Sequence, residues 1–143
     1  MSPDNLEGDI PDVLVAGAGA AGLAAAIAAE RRGARVLLVE RSSRLGGTVT
    51  HSLIHTLAGL HDAEGELINN GLPAELTERL MHASPLTTRR KIGRTWTLSV
   101  EPAIYEQVVE DWLGELAGLT LLREATVSAV TRQGNSVQAV EVM

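Results

Sequence analysis

Gly17-Ala18-Gly19-Ala20-Ala21-Gly22 is an uninterrupted GxGxxG, and each glycine has its own use at that spacing. Gly17 permits a tight turn off a strand. Gly19 lacks the Cβ that would hold a backbone away from a pyrophosphate, and Gly22 lets a following helix lie close against a sheet. The start of that helix presents unpaired N–H groups and a positive partial charge, which together bind anions. Glu40 stands eighteen residues beyond Gly22, where a carboxylate accepts hydrogen bonds from the hydroxyls of an adenosine ribose and repels a 2′-phosphate. The chemistry suggested is the holding of a dinucleotide.

After Glu40 come five residues and then Gly46, Gly47 and Thr48, a turn whose N–H groups suit an anion nest. With this turn in place the sequence resembles the FAD-dependent oxidoreductases with a glutathione-reductase-like fold. Their fingerprint is GxGxxG, seventeen residues, Glu, five or six residues, then Gly-Gly. Within that superfamily VLLVERSSRLGGTVT, GLHDAEGELINNGLPAELTERL and EPAIYEQVVEDWL look like a bacterial family of FAD-dependent oxidoreductases, over nearly the whole chain but only the amino-terminal part of the family. The resemblance implies that Gly17, Gly19, Ala20, Ala21 and Gly22 cradle the FAD pyrophosphate and that Glu40 holds the ribose. Arg41 would lie by the adenosine, Gly46, Gly47 and Thr48 would line the path toward the flavin, and the backbone of Val127 would hold the adenine edge. It implies a flavoenzyme in which hydride passes between flavin N5 and an organic substrate. The alternatives are a non-catalytic FAD- or NAD-binding module and an NAD-dependent dehydrogenase domain, the latter disfavoured by Gly46-Gly47-Thr48. No residue is singled out as catalytic, because in such enzymes the cofactor carries the redox chemistry.

Other constellations are weaker. His51 and His55 have the i, i+4 spacing of a metal pair if their segment is helical, and His61 follows. No Glu follows His51 and the chain has no cysteine, so the zinc-protease pattern fails and no metal is expected. The resemblance sets this stretch beside the flavin, with His51 or His55 facing it to orient substrate, accept a proton or tether the flavin. Arg89, Arg90, Lys91 and Arg94 form a basic cluster, read either as an anionic-substrate site or, with more weight, as a solvated loop or partner contact.

These residues need elements to position them. Asp12 to Ala16 and Ala34 to Glu40 read as buried strands around an Ala-rich helix from Ala20 to about Arg32, a βαβ unit with parallel strands. His51 to Leu60 is a short helix or irregular. Helices are predicted from Pro73 to about Ala83 and from Pro102 to Gly118, and a strand at Thr95 to Ser99. Leu119 to Leu122 reads as the third parallel strand, and Thr126 to Thr131 with Ser136 to Val142 as a β-hairpin around Gly134-Asn135. The fold class is therefore α/β: a three-layer, Rossmann-like parallel sheet with a carboxy-terminal hairpin. Residues 1 to 10 read as a loose tail, and by the resemblance 11 to 143 are the amino-terminal portion of an FAD-binding domain.

Composition bounds the partners. Eighteen acidic against 12 basic side chains give a formal charge of −6, which argues against nucleic acid or an anionic membrane surface. Three aromatic residues are too few for base stacking. The uncharged stretch Val13 to Ala29 follows acidic residues and contains three glycines, so it reads as strand turning into helix rather than as a span or signal. A cytoplasmic domain is expected. Three parallel strands with only a hairpin on one face leave apolar edge exposed. The predicted partner is a second polypeptide in a hetero-oligomer, supplying the rest of the FAD domain and the substrate domain.

Overall fold

The structure is a computed structural model that describes residues 10–143, so the predicted tail lies outside the described residues except for Ile10. The chain divides into two compact units, Met1–Leu45 with Leu113–Met143, and Gly46–Trp112.

In the first unit β1 (Val13–Ala16), α1 (Ala20–Glu30) and β2 (Val36–Glu40) form a βαβ unit that β6 (Leu119–Arg123) extends, with sheet order β1-β2-β6. Both pairings are parallel, Val13 opposite Val36 and Val36 opposite Leu119. All five residues of the central strand β2 are buried. Successive side chains alternate between faces. Leu37 and Val39 join Ala125, Leu14, Leu122, Val127 and Val142 in a cluster at the base of the hairpin β7 (Val127–Gln133) and β8 (Ser136–Val142). The other face takes α1, which packs on β1 and β2 through Leu23, Ala26 and Ile27, the i, i+3, i+4 stripe of an amphipathic helix.

β1 departs from expectation. Read as a buried strand, it is only half-buried, and Ala16 is exposed, because β1 is an edge of the sheet. Beyond the base of the hairpin the two layers part around a cavity of about 800 Å³ lined by Leu14, Ala16, Leu37, Val130, Val137 and other residues. Val130, Val137 and Ile10 are exposed.

At the entrance to β1, Asp12 accepts hydrogen bonds from the Arg35 side chain and from its backbone N–H at 2.9 Å. The guanidinium bond, then the backbone bond, hold the Asp12 carboxyl at about 2 against an ordinary 3.8. The folded-state value lies below the unfolded one, so this tie is complete above about pH 4 and is lost as pH falls toward 2. Arg35→Ala is expected to return Asp12 most of the way to its ordinary value, read as the midpoint of its carboxylate carbon shift in an NMR titration. A midpoint unmoved from about 2 would refute the assignment to Arg35.

The second unit carries an antiparallel sheet of order β3-β5-β4, formed by β3 (Thr56–Ala58), β4 (Thr88–Ile92) and β5 (Thr95–Ser99), with α2 (Thr48–His51), α3 (Leu72–Ala83) and all but the last two residues of α4 (Pro102–Gly114). Leu98 and Leu80 are fully buried. On α3, Arg79 bonds Glu75 at 3.1 Å, one turn earlier, and lies 4.8 Å over the Trp112 ring. Only β5 of this sheet is anticipated as a strand. Of the basic cluster, read as a loop, Arg89, Arg90 and Lys91 lie on strand β4 and Arg94 in the turn after it, and the stretch read as a short helix or irregular structure contains β3. Helix α4 ends four residues before Gly118. No helix among the described residues is long and apolar enough to cross a membrane.

Candidate functional site

The site is built where β1 gives way to α1. Gly17 has φ +98°, a conformation that L side chains rarely adopt, and its N–H donates to the Val39 carbonyl at 2.7 Å, tying the turn to the neighbouring strand. Gly19 is the N-cap of α1, with extended backbone, no side-chain cap and no acidic residue in the first turn. The first N–H groups of a helix have no intrahelical acceptor. Here no side chain caps them and the first turn carries no acidic residue of its own to offset the positive end of the helix. At Gly22 a Cβ would lie 1.8 Å from the Gly17 carbonyl oxygen, so the helix comes as close to the turn as glycine allows.

Glu40, at the end of β2, is 8% exposed. One carboxylate oxygen accepts the Ala18 N–H at 2.6 Å and the other accepts the Ser42 N–H at 2.8 Å. The carboxylate therefore clamps the glycine turn to the loop that follows β2. Each carboxylate oxygen has two lone pairs, so one acceptor site per oxygen is left for a ligand hydroxyl. That loop is held in turn: the Arg44 N–H donates to Ser42 Oγ at 3.0 Å, and Arg123 Nη1 donates to the Ser43 carbonyl at 2.8 Å. Arg41 is exposed on it. Val127 begins β7 opposite Val142, and its side chain packs with Leu37 and Val39. The structure thus brings Gly17, Gly19, Ala20, Ala21, Gly22 and Glu40 together. An uncapped helix start, a turn at positive φ on Gly17, a Gly22 whose Cβ would strike that turn and a carboxylate with free acceptor sites fit the ADP half of a dinucleotide. The second partners of Glu40, Ala18 and Ser42, are not singled out by the sequence; only Ser42, two residues before Arg44 in a side-chain-to-backbone turn, carries a local signal.

Gly46, Gly47 and Thr48 lie in the second unit. Gly46 is buried with φ +98°, and a Cβ there would lie 2.8 Å from Thr50 Cγ2 and 2.9 Å from Tyr105 Cε1. Close packing inside this unit already requires glycine at 46. Burial pushes the Tyr105 hydroxyl up from its ordinary pKa. Gly47 caps the four-residue α2, Thr48 is exposed, and the Gly47 carbonyl accepts from Thr50 Oγ1 at 3.1 Å and lies 2.9 Å from His51 Nδ1. Helix α2 ends at His51, so His51 and His55 do not share a helical face; both are exposed. No group of three His, Cys, Asp or Glu among the described residues could hold a metal.

Comparison with known proteins follows the same line. A family model described as FAD dependent oxidoreductase matches residues 12–143. Sarcosine oxidase subunit alpha from Corynebacterium sp. (strain U-96) is 47% identical over 53 residues, which are 37% of this chain and 6% of that protein. The chain thus spans only a small fraction of the length of the curated relatives it matches. Among solved structures, Aquifex aeolicus GidA superposes with TM-score 0.65 at 17% identity, covering 94% of this chain and 22% of that one. Thermovibrio ammonificans THI4 gives 0.61 at 16%, covering 93% and 47%. At these identities the likeness is one of fold.

Proposed function

Because this chain belongs to the FAD-dependent oxidoreductase family, whose cofactor is FAD, we propose that it is the FAD-binding subunit of a flavoenzyme completed by a second polypeptide. The observation that carries this reading is the uncapped first turn of α1 beside the Glu40 carboxylate. The residues assigned to the ADP half are Gly17, Gly19, Ala20, Ala21 and Gly22 for the pyrophosphate, Glu40 for the ribose, Arg41 beside the adenosine and the Val127 backbone for the adenine edge. Gly46, Gly47 and Thr48 are assigned toward the flavin on the strength of the resemblance alone. Bound FAD would supply the redox chemistry, exchange of a hydride at N5 with an organic substrate. This chain's part is to bind and orient.

Completion by another polypeptide is supported by the half-buried edge strand β1 and by the apolar cavity beside it, since an open edge in a parallel sheet is normally covered. The match to a protein named as a subunit supports the same view. A cytoplasmic location belongs to this proposal.

The test is native mass spectrometry with an absorbance spectrum, on the chain expressed alone and together with its genomic neighbours. FAD is expected in stoichiometric amount only in a complex with a second chain. A stable monomer or homo-oligomer holding FAD would overturn the completion argument and favour a self-contained binding module. A complex without flavin would overturn the flavoenzyme reading.

A further inference from the structure

Strand β4 and the turn that follows it concentrate charge opposite in sign to the chain's net charge. Arg89, Arg90, Lys91 and Arg94 are four of its 12 basic side chains, within a protein of formal charge −6. β4 is an edge of its sheet, and all five of its residues are exposed. Its outer backbone groups can be assigned from the register. Ile92 pairs with Thr95 across Gly93-Arg94, with Gly93 at φ +60°, the positive-φ first position of a two-residue hairpin turn. A turn closed in this way hydrogen-bonds its closing pair, and bonded pairs then alternate along the ladder. Ile92, Arg90 and Thr88 therefore bond to β5, while the N–H and C=O of Arg89 and Lys91 face outward. The side chains at these two positions are held in place. Arg89 donates to the Gly65 carbonyl, and the Lys91 ammonium lies 5.7 Å over the Trp96 ring. Ile92 and Leu86 add exposed apolar surface near the two ends.

We propose that the outer edge of β4 receives an acidic, extended segment of the second polypeptide by strand addition. This rests on the reading above that such a polypeptide exists. Backbone donors and acceptors at Arg89 and Lys91 would supply the ladder, as in other strand-addition interfaces, and the flanking cations select acidic side chains at the cross-strand positions. A second copy of this chain is a poor occupant, because antiparallel β4–β4 pairing would set Arg89, Arg90 and Lys91 against their own equivalents.

The full chain is titrated into a fluorescein-labelled ten-residue peptide of alternating Glu and Val, with a Lys-Val peptide as control, and anisotropy is read at low and at high salt. Saturable binding is expected for the Glu-Val peptide alone, weakening with salt. Arg89 and Lys91 have local contacts, so charge reversal is placed at Arg90→Glu with Arg94→Glu, expected to weaken binding about tenfold or more. Lys91→Pro removes an outward donor and no ladder bond, and should cost about fivefold with an unchanged far-ultraviolet circular dichroism spectrum. No binding, equal binding of the Lys-Val peptide, or binding indifferent to Lys91→Pro in a folded variant would each overturn the proposal. So would a dimer, seen by sedimentation, that the double charge reversal dissolves. Flavin content is read separately, on the complex with the second chain: peptide binding by a chain whose complex holds no FAD supports the edge while refuting the flavoenzyme reading.

Discussion

Gly22→Ala is expected to cost this protein about 3 kcal/mol or more of folding stability, beyond the usual range for one added methyl group, and to abolish retention of FAD. The new Cβ would sit 1.8 Å from the Gly17 carbonyl oxygen, 3.0 Å from its carbonyl carbon and 3.4 Å from Val15 Cγ1. The first two are backbone atoms, so no rotamer change relieves the overlap. Nor can the peptide easily swing away, since the Gly17 N–H is bonded to the Val39 carbonyl at 2.7 Å. The remaining relief is to lift α1 off β1 and β2, which unpacks Leu23, Ala26 and Ile27 and moves the first-turn N–H groups that we assign to the pyrophosphate. Gly33→Ala is the control. Gly33 also has positive φ, +85°, but a Cβ there meets nothing within 4 Å, so only the backbone penalty of about 1–2 kcal/mol is expected. Urea midpoints of the chain, with flavin absorbance of its complex with the second chain, distinguish the two. A Gly22→Ala protein within about 1 kcal/mol of the parent would refute the close-packing argument.

The same residue explains why this part of the fold is legible in sequence. A motif in which each glycine answers a separate steric demand leaves few alternative structures. The aliphatic run Val36–Val39 can only be an interior strand, so β1, α1, β2 and their parallel order follow from local pattern. The third strand and the hairpin are legible for the same reason, a buried run and an alternating pair around Gly134-Asn135. The second unit is not, because its sheet does not advertise itself by hydrophobicity. Strand β4 reads Thr-Arg-Arg-Lys-Ile with every residue exposed, and its strand character comes from the ladder with β5 and from the turn at Gly93, which pattern alone assigns to a loop. Strand β3 is three residues long, too short to show alternation. In the site, Gly19, Gly22 and Glu40 are readable because their spacing reflects one βαβ unit. The bonds from Ala18 and Ser42 to Glu40 are backbone bonds, and no side-chain identity records them.

Those two bonds give Glu40 a structural duty in addition to the ribose contact we assign to it, and substitutions can separate the two. In Glu40→Ala the Ala18 and Ser42 N–H groups lose their acceptor at a site where the side chain is nearly buried. Each bond to a charged acceptor is worth about 1.5–3 kcal/mol, so a loss of about 3–5 kcal/mol is expected when both go together. In Glu40→Gln the amide oxygen can serve one of the two donors, but the amide nitrogen then faces the other N–H, so about half of that loss should remain. Neither number speaks to the ribose. The ribose contact is tested with ADP against 2′-deoxy-ADP, by calorimetry on folded protein at a temperature well below the unfolding transition. If Glu40 accepts the 2′-hydroxyl, the parent should prefer ADP by about tenfold, and Glu40→Gln should lose most of that preference. A preference that survives in Glu40→Gln would confine Glu40 to fastening the glycine turn, and the ribose would have to be held by other groups. A preference that disappears along with only a modest loss of stability would show one carboxylate doing both jobs, with one acceptor site on each oxygen given to the fold and the remainder left for the nucleotide.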